Sequence, residues 1–141
     1  MKSIKYLLLV FILTGCSPNP KELLPHIEGY WEIEEVTLAD GSKKVYEYND
    51  TIDYIAINDS LKGFRKKLKP SFNNKYTTSE DAEALTVKIE NDSLNLYYKT
   101  PFSSWKETVL EANDTQLKIV NQDNSIYLYK RYEGLELDLE D

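Results

Sequence analysis

The chain has 141 residues, a formal charge of −7, and one cysteine and one histidine. These values exclude an intrachain disulfide and a His/Cys zinc centre, and leave any Ser-His-Asp set dependent on His26 alone. They also exclude nucleic acid as an electrostatic partner, because an acidic chain is repelled by phosphate.

Met1-Lys2-Ser3-Ile4-Lys5 is a short basic start, followed by an unbroken apolar run from Tyr6 to Leu13 and then by Thr14-Gly15-Cys16. A charged start, a short apolar stretch and small residues at its end form the pattern of a secretory signal. The run is far below the roughly 20 residues that span a bilayer. Leu13-Thr14-Gly15-Cys16 resembles the bacterial lipobox. That resemblance implies removal of residues 1–15, a diacylglyceryl group on the Cys16 thiol, and a mature chain anchored to a membrane by its acyl chains. Ser17 stands where Asp holds lipoproteins at the inner membrane, and no acidic cluster follows. The expected location is therefore the cell envelope, at the outer membrane and facing the periplasm. Pro18, Pro20 and Pro25 then predict a semi-rigid tether over residues 16–28.

From Gly29 the texture changes to short β-like runs. Tyr30 to Leu38 is followed by Ala39-Asp40-Gly41-Ser42, whose Asp-Gly pair is a hairpin signal. Val45 to Tyr48, Ile52 to Ile57 and a basic run from Phe64 to Leu68 come next. Pro70 to Ala84 reads as a long loop, with one helical turn in its acidic part. Leu85, Val87 and Ile89 then alternate with polar residues, as do Leu94, Leu96 and Tyr98, a period that sends one set inward and the other outward. Trp105 to Leu110, Leu117 to Val120 and Ile126 to Tyr132 complete about nine runs. Asn-Asp-[Ser/Thr] recurs at Asn49, Asn58, Asn91 and Asn113, between β-like runs, and suits tight corners better than a calcium loop. Sequential short strands without βαβ spacing predict an all-β, up-and-down antiparallel barrel of eight to nine strands over residues 29–132. An acidic tail, residues 133–141, follows; its alternating Leu135, Leu137 and Leu139 suit either an edge strand or disorder.

Gly29-Tyr30-Trp31, opening the first strand, resembles the Gly-x-Trp signature of the lipocalins. The resemblance implies a lipocalin-like barrel closed at one end by Gly29 and Trp31, with a basic side chain from the last strand, Arg131 or else Lys130, lying across the indole ring. The Thr-Asp-Tyr motif of the classical lipocalins and a disulfide are both missing here.

A barrel of this size is either filled by side chains or holds one small ligand. Candidate lining residues are Tyr54, Tyr97, Tyr98, Trp105, Tyr127 and Tyr129. Lys62, Arg65, Lys66, Lys67 and Lys69 form a basic run, expected to be a solvated outer face. No catalytic set, metal motif or cofactor motif stands out. The expected function is binding or carrying a small hydrophobic molecule in the envelope. The alternative is an interaction module for an envelope protein or glycan, with no internal ligand.

Overall fold

The computed structural model describes residues 18–71 and 76–134, with backbone alone over residues 76–80. Cys16 with its lipobox, and the leucine-rich part of the acidic tail, lie outside the described residues.

Nine strands follow in chain order: β1 (Gly29–Thr37), β2 (Lys43–Val45), β3 (Ile52–Ile57), β4 (Lys62–Pro70), β5 (Tyr76–Glu90), β6 (Ser93–Lys99), β7 (Ser104–Ala112), β8 (Gln116–Asn121) and β9 (Ile126–Arg131). They pair in the order β2-β1-β3-β4-β5-β6-β7-β8-β9, and β1 also pairs with β9. β1 and β3 to β9 therefore close an eight-stranded antiparallel barrel, and β2 is an extra strand along the second half of β1. Closure gives every wall strand two partners, which removes the open edges that a flat sheet would expose. Register shifts at Ile33/Glu35, Lys66/Leu68 and Val109/Glu111 mark bulges that help the wall bend.

The alternation predicted for the later strands sets the core. Leu85 and Val87 of β5, Leu94 and Leu96 of β6, and Leu117 and Ile119 of β8 are buried together with Trp31 of β1 and Ile55 of β3. All lie in the half of the barrel where β1 begins and β9 ends. Among the corners, Asn58 Oδ1 accepts from the Ser60 and Lys62 amides, and Asn113 Oδ1 from those of Thr115 and Gln116. Asn91 and Asp92 take left-handed backbone angles between β5 and β6. Asn49 departs from this use: its side chain donates to the Ile33 carbonyl at 2.9 Å and ties the segment after β2 to β1.

Three elements differ from the sequence-based expectation. Pro20–Leu23 forms a helical turn, α1, continued by a 3-10 turn at Leu24–His26, where a semi-rigid tether was expected. Asn19 caps it by accepting from the Lys21 amide, and Pro20 sits at a first-turn position that needs no donor. The turns bring Leu23 and Ile27 into the core cluster against Trp31, so this stretch plugs the barrel's end. Residues 76–84 belong to the long strand β5 and not to a loop. Their pairing with the basic strand β4, Arg65 opposite Glu83 and Lys66 opposite Ala82, explains why a stretch without apolar alternation is still a strand. The second run is shorter than expected and earlier, with β2 ending at Val45.

Candidate functional site

Both ends of the barrel are built from residues that share the inward face of their strands. At the closed end, Trp31 is fully buried and its indole N–H donates to the Ile27 carbonyl at 2.8 Å. The Arg131 guanidinium lies 3.7 Å from the centre of the Trp31 ring. Its Nη1 donates to the Glu28 carbonyl at 2.6 Å, its Nη2 to those of His26 and Asn113, and its Nε to that of Asp114. Burial works against the charge and holds the Arg131 pKa below its ordinary value, with Asp114 opposing. Gly29 completes the arrangement. Its φ of +125° disfavours other residues, and a Cβ there would stand 2.4 Å from Arg131 Nη1. Lys130, the other basic residue of that strand end, pairs with Glu32 on the outer face.

Above this packed half the interior turns polar. Strand pairing places Asp53 opposite Lys67, Arg65 opposite Glu83, and Glu107 opposite Leu96. Arg65 Nε donates to Glu83 Oε2 at 2.6 Å and its Nη1 reaches Glu107 Oε2 at 3.4 Å, so the ion pairs cross the interior from β4 to β7. The guanidinium rests 4.2 Å above the Tyr98 ring, which stacks on Trp105 at 5.5 Å. Burial raises the Glu107 pKa against the opposing pull of Arg65, and burial likewise raises Tyr98 and Tyr129. Burial also opposes the charge on Arg65, but its acidic neighbours Tyr98, Glu107 and Glu83 outweigh that and hold its pKa above the ordinary value. Asp53 pairs with Lys67 at 2.5 Å. Tyr98 Oη is buried with no hydrogen-bond partner among the described residues, and Asp53 Oδ1, also buried, is held by the Lys67 ammonium alone.

Two spaces adjoin this layer. A cup of about 440 Å³ opens at the far end from Arg131, walled by Ile33, Val36, Ile52, Tyr127 and Tyr129, with Asp53 and Lys67 on one side, the polar segment Asn49 to Thr51 with Tyr46 and Tyr48 at its rim, and Trp31 among its lining. A second, mainly apolar niche of about 10 Å³ is bordered by Ile55, Leu96, Leu117 and Ile119 together with Asp53, Arg65, Tyr98 and Tyr129. Trp31, Asp53 and Tyr129 border both spaces and separate them.

The six aromatic residues proposed from sequence as a lining divide. Tyr98, Trp105, Tyr127 and Tyr129 share inward faces, as their register with Leu85, Tyr98, Ile119 and Leu117 shows. Tyr54 and Tyr97 do not join them. Tyr54 stacks on Tyr30 at 4.7 Å on the outer face of β1 and β3, and Tyr97 donates to Glu90 beside Lys88. The strand period explains the split: Tyr97 and Tyr98 are adjacent and must face opposite ways. Sequence reasoning also missed the polar layer. Arg65 was expected on a solvated face, yet its side chain is 13% exposed. The signal was present, since Asp53 shares a face with Ile55, Glu83 with Leu85, and Glu107 with Val109. Among the described residues, no group of three His, Cys, Asp or Glu side chains is placed to hold a metal ion. His26 pairs with Asp114 at the closed end, away from the cup.

A family model described as "Lipocalin-like domain" matches residues 27–119. No curated protein matches the chain. Among solved structures, a lipocalin-like protein from Bacteroides uniformis shares 7% identity over 76% of this chain and 99% of its own, with a TM-score of 0.49.

Proposed function

Because the chain belongs to the lipocalin-like domain family, we propose that it is an envelope lipoprotein, anchored through lipid on Cys16, that binds or carries a small hydrophobic molecule in its barrel. One observation supports this most: the closed half is packed solid, while the open half keeps a cup of about 440 Å³ whose walls join Ile33, Val36, Ile52, Tyr127 and Tyr129 to the polar side chains of Asn49, Asp50, Thr51, Asp53 and Lys67. That volume is in the range of small-molecule sites, which are concave and set apolar side chains beside placed polar groups. The proposed role is binding, and His26, the one histidine, pairs with Asp114 at the closed end.

Native mass spectrometry of protein extracted from membranes tests the binding. The expected result is a co-purifying apolar molecule of a few hundred daltons, together with quenching of Trp31 and Trp105 by apolar probes. A bare protein and an unresponsive fluorescence would remove the proposal. For the anchor, Cys16→Ala should move the protein from the membrane to the soluble fraction and abolish acyl labelling.

A second reading rests on the outer face. Tyr30, Tyr54 and Phe64 form an aromatic row, with Lys66 lying 5.0 Å over the Phe64 ring. Such a row would suit contact with an envelope protein or glycan. Loss of a specific crosslinked partner in Lys66→Glu, with the cup's ligand retained, would favour it.

A further inference from the structure

We infer that the outer wall of β5, β6 and β7 is a docking surface for an anionic lipid bilayer, with Lys88, Lys99 and Lys106 meeting headgroup phosphates and Phe102 entering the acyl boundary. The inference is independent of the cup, and it adds an orientation to the lipid-anchor reading. Three observations carry it.

The first is charge. From Ala82 onward, the outward strand positions of β5 to β8 carry Lys88, Lys99, Lys106 and Lys118 against Glu90 and Glu111 alone. Glu111 is taken up by Lys118 at 3.9 Å, and Glu90 accepts from Tyr97 and Asn95. Among the described residues Lys88, Lys99 and Lys106 have no ion-pair partner. All three border one hollow of about 490 Å³ with Thr86, Tyr97 and Ser104, and no carboxylate lines it. A chain of charge −7 thus gathers unpaired cations on one wall. Lysines in such a group are drawn to the negative potential of anionic headgroups.

The second is the tip of the same hairpin. Phe102 is 97% exposed in the turn between β6 and β7. The turn is ordered: the Thr100 amide donates to the Ser103 carbonyl at 2.8 Å, and the Thr100 hydroxyl accepts from the amides of Phe102 and Ser103. Phe102 is therefore held out in water by its own backbone. An aromatic ring beside lysines is the composition that settles at a membrane interface, ring in the acyl boundary and ammonium groups among the phosphates.

The third is where the chain enters. α1 packs against β6 and β7 at their closed-end termini. Cys16 precedes the first described residue, Pro18, by two positions, which reach at most about 7 Å. Lipid on Cys16 would hold one end of this wall to a membrane, and Phe102 stands at the other end. The barrel then lies along the bilayer with its mouth beside the headgroups.

The test uses the chain from Ser17 onward, which holds every described residue and has neither the apolar leader nor an acyl group. Flotation with phosphatidylglycerol–phosphatidylcholine vesicles should recover it at least about ten-fold better than pure phosphatidylcholine vesicles do, and added salt should weaken the binding. Lys99→Glu with Lys106→Glu should cut partition by at least about 25-fold, each lysine near such a surface contributing roughly five-fold. Lys44→Glu with Lys62→Glu makes the same change in net charge on β2 and β4, and should cut it by less than about three-fold. Phe102→Ser should cost about ten-fold. In Phe102→Trp, brominated acyl chains should quench emission beyond the loss in the unmodified chain. Equal recovery by both vesicle types, equal loss in both double variants, or no binding at all would overturn the inference. So would displacement by millimolar glycerol 3-phosphate with no effect of Phe102→Ser, which would assign the hollow to a free phosphate ester. A failed acyl-labelling test would remove the Cys16 anchor and leave this surface standing, so the two failures are told apart.

Discussion

Replacing Arg131 by alanine should loosen the closed end more than any other single surface-reaching change. The guanidinium donates to four backbone carbonyls, two in the segment before β1 (His26 and Glu28) and two in the β7–β8 corner (Asn113 and Asp114). It also covers the Trp31 ring at 3.7 Å. A hydrogen bond from a charged donor is worth about 1.5–3 kcal/mol when well shielded. Here most of these contacts are exposed, and the freed carbonyls regain water, so each counts for a fraction of that. The cation–π contact adds about 0.5–1 kcal/mol at a site of this exposure. The expected loss for Arg131→Ala is therefore about 2–4 kcal/mol, a fall in Tm of roughly 10 °C or more. Arg131→Lys keeps a charge near the ring but lacks the planar fork that reaches four acceptors, and should recover less than half. Urea unfolding followed in parallel by tryptophan fluorescence and far-ultraviolet circular dichroism measures both. A loss under about 0.5 kcal/mol, or full recovery in Arg131→Lys, would refute the view of Arg131 as a clasp.

Other changes probe the two halves of the interior. Ile27→Ala should cost about 2–5 kcal/mol in the same assay, since Ile27 is fully buried against Trp31; a cost near zero would return residues 20–28 to the status of a tether. Gly29→Ala should lower stability by at least about 1–3 kcal/mol, because its φ of +125° is strained for alanine and the new methyl displaces Arg131. Arg65→Met leaves Glu83 and Glu107 facing the interior without their cation and should cost about 3–5 kcal/mol at neutral pH. Glu107 has a folded pKa raised above its ordinary 4.5, so the fold binds that proton more tightly than the unfolded chain. Its contribution to stability therefore grows as pH falls through the folded pKa, is complete below about 4.5, and is lost again as pH rises. Glu107→Gln should remove that part of the pH dependence, read as an unfolding midpoint at pH 4 that falls relative to the midpoint at pH 7 when compared with the unmodified chain.

Much of the barrel could be read from the chain because inward and outward residues alternate. β6 shows this most clearly, with Leu94, Leu96 and Tyr98 buried as the period of two requires. The closing pair Trp31 and Arg131 was recognisable only through a family resemblance, since nothing local in the sequence says that residues this far apart meet. β5 was missed for a physical reason: its first half has no apolar alternation, and its partner is a basic strand, so its pairing is a property of two segments together. The plug at Pro20–His26 was missed because proline spacing in isolation resembles a tether, whereas Leu23 and Ile27 have a core to join only once the barrel exists. The polar layer was legible in principle. Asp53 and Glu107 fall on the same faces as apolar neighbours, but a carboxylate among such residues is usually dismissed as solvated until its partner on a distant strand is known.

The Arg131 contact with the His26 carbonyl joins positions separated by 105 residues, and β9 supplies one wall for β1. Folding therefore cannot finish while the chain is still emerging. Until the final strand arrives, β1 and β8 each present a row of unsatisfied amides and carbonyls that invites pairing with other chains. Closing so long a loop is slow relative to local hairpins, which places the rate-limiting step late. A nascent chain of this kind would benefit from a holding factor until β9 is in place, and a truncation just ahead of Ile126 should yield aggregate in place of a smaller folded product.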